Sequence, residues 1–292
     1  MTPNLTDEDK ERIEGKRVVA GVSGGKDSAA LSLWLTEQGV EHDRVFADTG
    51  WEHPMTEGYV RGPLAEALGP ITEVKRPGGG MAALVRQKGM FPSSKARFCT
   101  VELKVLPILE HLHGLDEDPI NTVGIRAQES SRRAAMTRWD FDESMDCHVW
   151  RPLLDWSEKD VIAMHQRYGL APNPLYLRGP GVSRVGCHPC IFARKEEISH
   201  MADLSPWRVE EIREMEADLQ SLYRERTQKD GKKRAVPAFF YAVDHRGKLQ
   251  NIDDVVEWSR TARGGRQLKL LDDVPDGCVK WGMCDHPEAS DA

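Results

Sequence analysis

No apolar run in the 292-residue chain approaches the roughly 18 residues that a membrane-spanning helix needs. The longest, around Ala29–Leu35, is interrupted by Ser32. The opening segment, MTPNLTDEDKERIEGK, is polar and acidic and lacks the apolar stretch of a secretory leader. A cytoplasmic protein with no membrane partner is therefore expected. In a reducing cytosol the six cysteines are not three disulfides, which leaves metal or redox chemistry to explain them. Internal repeats and low-complexity tracts are lacking, which excludes repeat architectures. Positive charge is also short: Lys and Arg number 40 against 47 Asp and Glu, a net charge of −7. That excludes the global basic field of a strong nucleic-acid binder. Local clusters remain at Ser131-Arg132-Arg133 and Lys232-Lys233-Arg234, the second read as solvated surface.

Hydrophobic residues make up 39% of the chain and include eight Trp, enough to pack a core. Whole-chain disorder, collagen and coiled coil are excluded. At about 150 residues per domain, the length suits one large domain or one with an appendage. Residues 17–23, RVVAGVS, are β-branched and run into glycines, the pattern of a buried strand entering a tight turn. A helix is expected over Asp27–Gln38, stopping near Gly39, and a second strand over Arg44–Ala47 with its C-terminal loop at Asp48-Thr49-Gly50. Strand, helix, strand at this spacing is a βαβ unit, so the core is an α/β fold with a parallel sheet and helices on its faces. A later strand is expected over Ile120–Ile125.

Past Cys190 the texture changes. Ser205–Thr227 is charged and helical, with Ser205 as N-cap and Pro206 after it. A strand-like AFFYAV run, a short helix near Asp253–Arg260 and a Gly-rich loop with two Cys follow. The expected division is an α/β core over 1–200 and a C-terminal helical and mixed appendage over 201–292.

The strongest local signal is Ser23-Gly24-Gly25-Lys26-Asp27-Ser28, placed between strand and helix. Glycines let the backbone approach an anion, the helix start presents N–H groups, and Ser23 and Ser28 add hydroxyls. Lys26 supplies positive charge. The loop is neither of the common phosphate-binding patterns: Asp27 follows Lys26 where a P-loop has Ser or Thr, Ala20 stands where its first Gly belongs, and GxGxxG is not present.

The hexapeptide resembles the PP-motif, SGGxDS, of the adenine nucleotide alpha hydrolase-like ATP pyrophosphatases. The resemblance continues through Arg97-Phe98-Cys99-Thr100 with Leu103-Lys104 and Pro107, then Gly124-Ile125-Arg126 with Glu129-Ser130 and Arg132. It goes on through Arg151-Pro152-Leu153 with Asp155-Trp156, and ends at Arg184-Val185-Gly186-Cys187-His188-Pro189-Cys190. Together these motifs, over residues 17–192, are similar to the phosphoadenosine phosphosulfate (PAPS) reductase family. The resemblance implies a Rossmann-like PP-loop core in which Ser23–Ser28 holds nucleotide phosphates. It also implies that Asp48, Thr49 and Glu52 contact nucleotide or Mg²⁺, with Gly124 and Glu129 beside the nucleotide. Carboxylates next to a polyphosphate are natural magnesium ligands on chemical grounds too. Arg126 and Arg132 are candidates for neutralising charge on phosphate or sulfate, alongside Lys26 and Asp27 as catalytic residues. Arg151 reads equally as functional or as a buried ion pair with Asp155, and Trp156 reads as core.

Cys187 and Cys190 have metal-ligand spacing, and Cys278 and Cys284 form a second pair. Cys99 falls in the family's first cysteine motif, whereas Cys147 reads as packing. Cluster-bearing relatives use an adjacent Cys-Cys pair; here Thr100 replaces the second member. A [4Fe-4S] cluster on Cys99, Cys187 and Cys190 would take Cys284, or Cys278, as fourth ligand, or leave one iron open. A structural zinc on Cys187, Cys190, Cys278 and Cys284 fits the same arithmetic.

Three readings of the chemistry follow from the resemblance. The intact Lys26 and Asp27 favour cleavage of Mg-ATP to AMP and pyrophosphate, activating a nucleic-acid or small-molecule acceptor for sulfur transfer. A cysteine desulfurase or thioredoxin-like donor would be the protein partner, and a homodimer is compatible. The alternatives are a PAPS or adenylylsulfate reductase making sulfite, and a non-catalytic nucleotide-binding regulatory or defence module.

Overall fold

A computed structural model describes residues 4–115, 118–143, 145–178, 182, 184–231, 237–240, 242, 250–261 and 281. Six strands form one sheet: β1 (Val18–Val22), β2 (His42–Asp48), β3 (Thr72–Lys75), β4 (Ile120–Thr122), β5 (Trp139–Asp142) and β6 (Cys147–Trp150), in the order β3-β2-β1-β4-β6-β5. All neighbours pair in parallel except β5 with β6. β1 is a near-continuous apolar run buried on both faces, as a central parallel strand must be.

The helices are α1 (Asp7–Ile13), α2 (Lys26–Glu37), α3 (Pro54–Tyr59), α4 (Ala65–Leu68), α5 (Met81–Lys88), α6 (Phe98–Thr100), α7 (Leu106–His113), α8 (Ser131–Ala134), α9 (Glu158–Arg167), α10 (Lys195–Leu204), α11 (Pro206–Asp230) and α12 (Ile252–Ser259). This is the α/β parallel-sheet core with C-terminal helices that the sequence predicts. α2 is buried nearly all round, which suits a helix pressed between the sheet and α9. Its Trp34 meets Trp150 at 5.9 Å and Trp156 at 6.3 Å, so Trp156 belongs to the core.

A second apolar cluster joins Trp51, Leu84, Phe91 and Leu103 to Met201, Ile212, Ile252 and Val255 from the C-terminal helices and to Phe239. The expected Ser205 N-cap stands at the start of α11, yet its hydroxyl pairs with His188 Nε2 at 3.0 Å instead of a helix N–H. β2 runs beyond the expected Arg44–Ala47 at both ends, and β4 stops at Thr122, short of the expected Ile125, whose N–H turns back to the Val123 carbonyl at 3.1 Å. Phe239 and Phe240 of the AFFYAV run are buried in a bend, not a strand, and the run extends outside the described residues. Arg151 does not pair with Asp155, which is exposed; it reaches Asp140 at 3.4 Å and the carbonyl of Thr137 at 3.0 Å. The β5–β6 hairpin carries Asp140 across to it. Among the described residues no helix is long and apolar enough to cross a membrane.

Candidate functional site

The chain proceeds from β1 outward through β2 to β3, then returns to place β4 on the other side of β1. Loops leaving β1 and β4 therefore diverge at the carboxyl edge of the sheet and open a crevice, the usual ligand position in such sheets. The glycine loop (residues 23–25) leaves β1 there, and residues 123–129 leave β4 opposite it.

The loop's conformation follows from its residues. Gly24 has φ +71°, and a Cβ there would lie 2.8 Å from Thr56 Cγ2. Asn173 Nδ2 donates to the Gly24 carbonyl at 3.1 Å and to Thr56 Oγ1 at 3.2 Å. Ser23 N–H donates to Ser28 Oγ at 3.1 Å, whose own hydrogen goes to the Gly25 carbonyl at 3.0 Å. The two serine hydroxyls, 3.2 Å apart, thus fold the loop.

Lys26 is 6% exposed. Its ammonium lies 3.7 Å from Asp27, 3.4 Å from Glu158 at the start of α9, and 5.0 Å from the Tyr176 ring centre. Across the crevice Arg126, 5% exposed, donates Nε–H to Asp27. Arg126 N–H donates in turn to Glu129 at 2.8 Å, and Glu129 also pairs with Arg133. Gly124 brings the β4 loop against α2: a Cβ there would meet the Asp27 carbonyl oxygen at 2.7 Å. Five of the predicted residues (Lys26, Asp27, Gly124, Arg126 and Glu129) are therefore brought together. Arg132 is exposed on α8, beside Arg133.

After β2, Asp48 accepts the Gly50 N–H at 2.9 Å and faces Arg61 at 3.9 Å. Glu52, 4% exposed, turns inward. Its carboxylate accepts from Thr49 N–H at 3.1 Å, Thr49 Oγ1 at 2.7 Å and Trp51 N–H at 3.2 Å. Thr49 and Glu52 are thus mutually occupied in building their own turn.

That turn holds the first cysteine pair. Glu52 forms an isolated antiparallel bridge with Cys187, His188 N–H donates to the Trp51 carbonyl at 2.8 Å, and Trp51 Nε1–H to the Pro189 carbonyl at 3.0 Å. Cys187, Cys190 and Cys99 all line one cavity of about 370 Å³, with Lys104, Arg97 and Arg184 in its wall. Burial pushes the Cys187 and Cys99 thiols up, and the Lys104 charge partly offsets this at Cys187. Lys104 in turn is pushed up by its neighbours Cys187 and Glu52, against its own burial. Cys190 Sγ accepts the Phe192 N–H at 3.5 Å.

Three thiols at one cavity are a donor set suited to an iron–sulfur centre or another thiophilic metal. Among the described residues no three Cys, His, Asp or Glu groups already sit at the spacing of a single-ion site. Cys278 and Cys284 lie outside the described residues. Cys147 is buried at the start of β6 in a small apolar cluster, as packing requires.

Several residues of this site carry no signal in the sequence. Tyr176, Asn173 and His165 reach the glycine loop across sequence separations of 150, 149 and 139 residues. Arg208 on α11 stacks 3.9 Å from the Trp51 ring centre and donates to the Glu52 carbonyl at 3.1 Å, tying α11 to the cysteine loop. Only the charged periodicity of α11 was readable, not its target.

An uncharacterized 37.8 kDa protein from the gpa 5′ region of Escherichia phage 186 is 33% identical, over 91% of this chain and 96% of its own length. Adenosine 5′-phosphosulfate reductase of Bacillus pumilus is 33% identical over 60% of this chain and 74% of that enzyme. Among solved structures, the U34-tRNA thiolase NcsA of Methanococcus maripaludis with its [4Fe-4S] cluster overlays with a TM-score of 0.43 at 16% identity. That overlay covers 84% of this chain and 82% of the thiolase. Residues 17–193 match the phosphoadenosine phosphosulfate reductase domain, and with them the chain belongs to that family.

Proposed function

We propose that this chain splits Mg-ATP into AMP and pyrophosphate to activate an acceptor for sulfur transfer. One observation carries the reading. The glycine loop keeps Lys26 and Asp27, and the three-cysteine cavity is built on the adjacent turn of the same sheet edge. An acceptor oxygen attacks the α-phosphorus and the bond to the β-phosphate oxygen breaks, releasing pyrophosphate. The outer sulfur of a persulfide delivered by a cysteine desulfurase then displaces AMP, leaving the acceptor joined to the desulfurase cysteine by an S–S bond. The thiols of a thioredoxin-like donor reduce that bond to release the thiolated acceptor. The acceptor is a nucleic acid or a small molecule, in the reducing cytoplasm.

Each residue has a task in this scheme. The N–H groups at the start of α2 and the hydroxyls of Ser23 and Ser28 receive phosphate oxygens. Lys26, drawn from Asp27 and Glu158, follows the charge that develops on the departing pyrophosphate. Asp48, with Asp27, would hold Mg²⁺ against the phosphates. Arg126 and Arg132 neutralise the α-phosphate side. Cys99, Cys187 and Cys190 would hold a [4Fe-4S] centre, with Cys284 or Cys278 as fourth ligand. When bound, that centre supplies a thiophilic site for the sulfur.

The test is anaerobic incubation of the full chain with Mg-ATP labelled at the α-phosphate, with iron and zinc measured on the same sample. Equimolar AMP and pyrophosphate from an iron-bearing protein is the expected result, and Asp27→Ala is expected to abolish it. A sample inert to ATP that makes sulfite from adenylylsulfate or PAPS with thioredoxin would replace this reading with the reductase one. The similarity to the Bacillus pumilus enzyme is what favours that second reading. A protein that binds nucleotide without turning it over, and works unchanged as Asp27→Ala, would be a regulatory or defence module.

A further inference from the structure

Lys26 is held at three points by two side chains. Its N–H donates to the Tyr176 hydroxyl at 3.3 Å, its carbonyl accepts from His165 Nε2 at 2.9 Å, and its ammonium lies over the Tyr176 ring. His165 faces carbonyls with both ring nitrogens, Lys26 at 2.9 Å and Leu170 at 3.3 Å. A neutral imidazole donates only once, and the shorter contact assigns its proton to Nε2.

Both of these side chains pack on one indole, Trp281, from the far end of the chain. Trp281 meets the His165 ring edge-on at 5.1 Å and the Tyr176 ring at 5.9 Å, and is 5% exposed. Gln166 Nε2 donates to its carbonyl at 3.1 Å, and Ile162, Val182 and Val185 complete the cluster. Val185 is itself a wall of the glycine loop, its carbonyl 3.6 Å from where a Gly25 Cβ would stand.

We propose that Trp281 is a positioning residue for the nucleotide loop, fixing Lys26 through Tyr176 and His165. Trp281 is then part of the scaffold of the site. The identity of the loop's ligand rests on the function proposed above; the positioning does not. An aromatic wedge of this kind removes rotamer freedom from Tyr176 and His165, so the Lys26 N–H and carbonyl are presented in one geometry.

The experiment compares full-length wild type, Trp281→Ala, Trp281→Phe and Gln166→Ala by amide hydrogen exchange without nucleotide, then by Mg-ATP titration. Exchange over residues 23–28 is expected to quicken by about tenfold in Trp281→Ala, less in Gln166→Ala, and to return toward wild type in Trp281→Phe, with α11 unchanged. The dissociation constant for Mg-ATP is expected to rise about tenfold in Trp281→Ala. Unchanged exchange at 23–28, or exchange that rises everywhere including α11 in both Trp281→Ala and Gln166→Ala, would overturn the proposal. If the loop amides respond as expected but the wild type binds no ATP, the positioning stands and the nucleotide function fails.

Discussion

Arg126, on the loop after β4, donates its Nε–H to the carboxylate of Asp27 in the first turn of α2, closing the crevice between the two loops. Both are largely buried, so each side chain depends on the other for its charge balance. Asp27→Ala leaves a buried guanidinium without its partner. Loss of pyrophosphate release is therefore expected together with about 3 kcal/mol of stability. Arg126→Lys keeps the charge but not the planar donor geometry, and is expected to retain most stability while losing at least tenfold in turnover. Urea unfolding beside an AMP assay separates the two effects.

Acid should weaken the fold in two stages. Burial is the main cause holding His42 and His165 below the ordinary histidine value. The unfolded chain takes up protons below about pH 6.5 and the folded chain does not, so stability falls as pH drops from there. For each histidine the slope is at most about 1.4 kcal/mol per pH unit.

Asp9 acts lower down. Burial alone would raise its carboxyl, but hydrogen bonds from Arg138 and Thr6 and the Arg138 charge bring it to about 2. Its contribution, about 2 kcal/mol, is full above about pH 4 and is lost as pH falls toward 2. Denaturant midpoints are expected to be flat near pH 8 and to decline below about pH 6.5. Asp9→Asn should lower stability by about 2 kcal/mol above about pH 4 and abolish the steeper limb below it.

A chain ended at residue 200 is expected to aggregate. It would lose Met201, Ile212, Met215, Leu219, Phe239, Ile252 and Val255, the apolar partners of Trp51, Leu84, Phe91 and Leu103. It would also lose Arg208, which covers Trp51 and donates to the Glu52 carbonyl. An exposed apolar face of that size marks an aggregation liability. Soluble yield and near-ultraviolet circular dichroism of residues 1–200 against the full chain decide it; a soluble, native-like fragment would refute the dependence.

What was legible in the sequence is local. β1, the glycine loop and α2 follow from a β-branched run, two glycines and a buried apolar stretch, and they stand within a residue or two of where periodicity puts them. The grouping of Cys99 with Cys187 and Cys190 came from motif order, and one cavity gathers them. Contacts made by the third dimension were not legible. Asp27 and Arg126 lie 99 residues apart, and Tyr176 reaches Lys26 across 150. Nor does a sequence say which way a carboxylate turns: Glu52 is spent on Thr49 and Trp51 within its own turn.

Gly124 gives the sharpest test of where the nucleotide sits. Its backbone is not forced into a left-handed conformation; what requires glycine is space. A Cβ would stand 2.7 Å from the Asp27 carbonyl oxygen and 3.1 Å from both the Asp27 carbonyl carbon and Ser28 Cα, all backbone atoms of the first turn of α2. None of these can swing aside as a side chain would, so Gly124→Ala must push the β4 loop away from α2. The displacement carries Arg126 off Asp27 and widens the crevice. Overpacking of this kind costs about 1–3 kcal/mol, too little to unfold a domain of this size. Catalytic geometry is less forgiving, and AMP release is expected to fall by on the order of a hundredfold. Gly58→Ala is the matched control: it lies in α3 with nothing within 4 Å of its would-be Cβ, so it is expected to be neutral or slightly stabilising and fully active. Should Gly124→Ala release AMP at the wild-type rate, the chemistry must lie away from the β1–β4 crevice, and the glycine loop would be a structural turn.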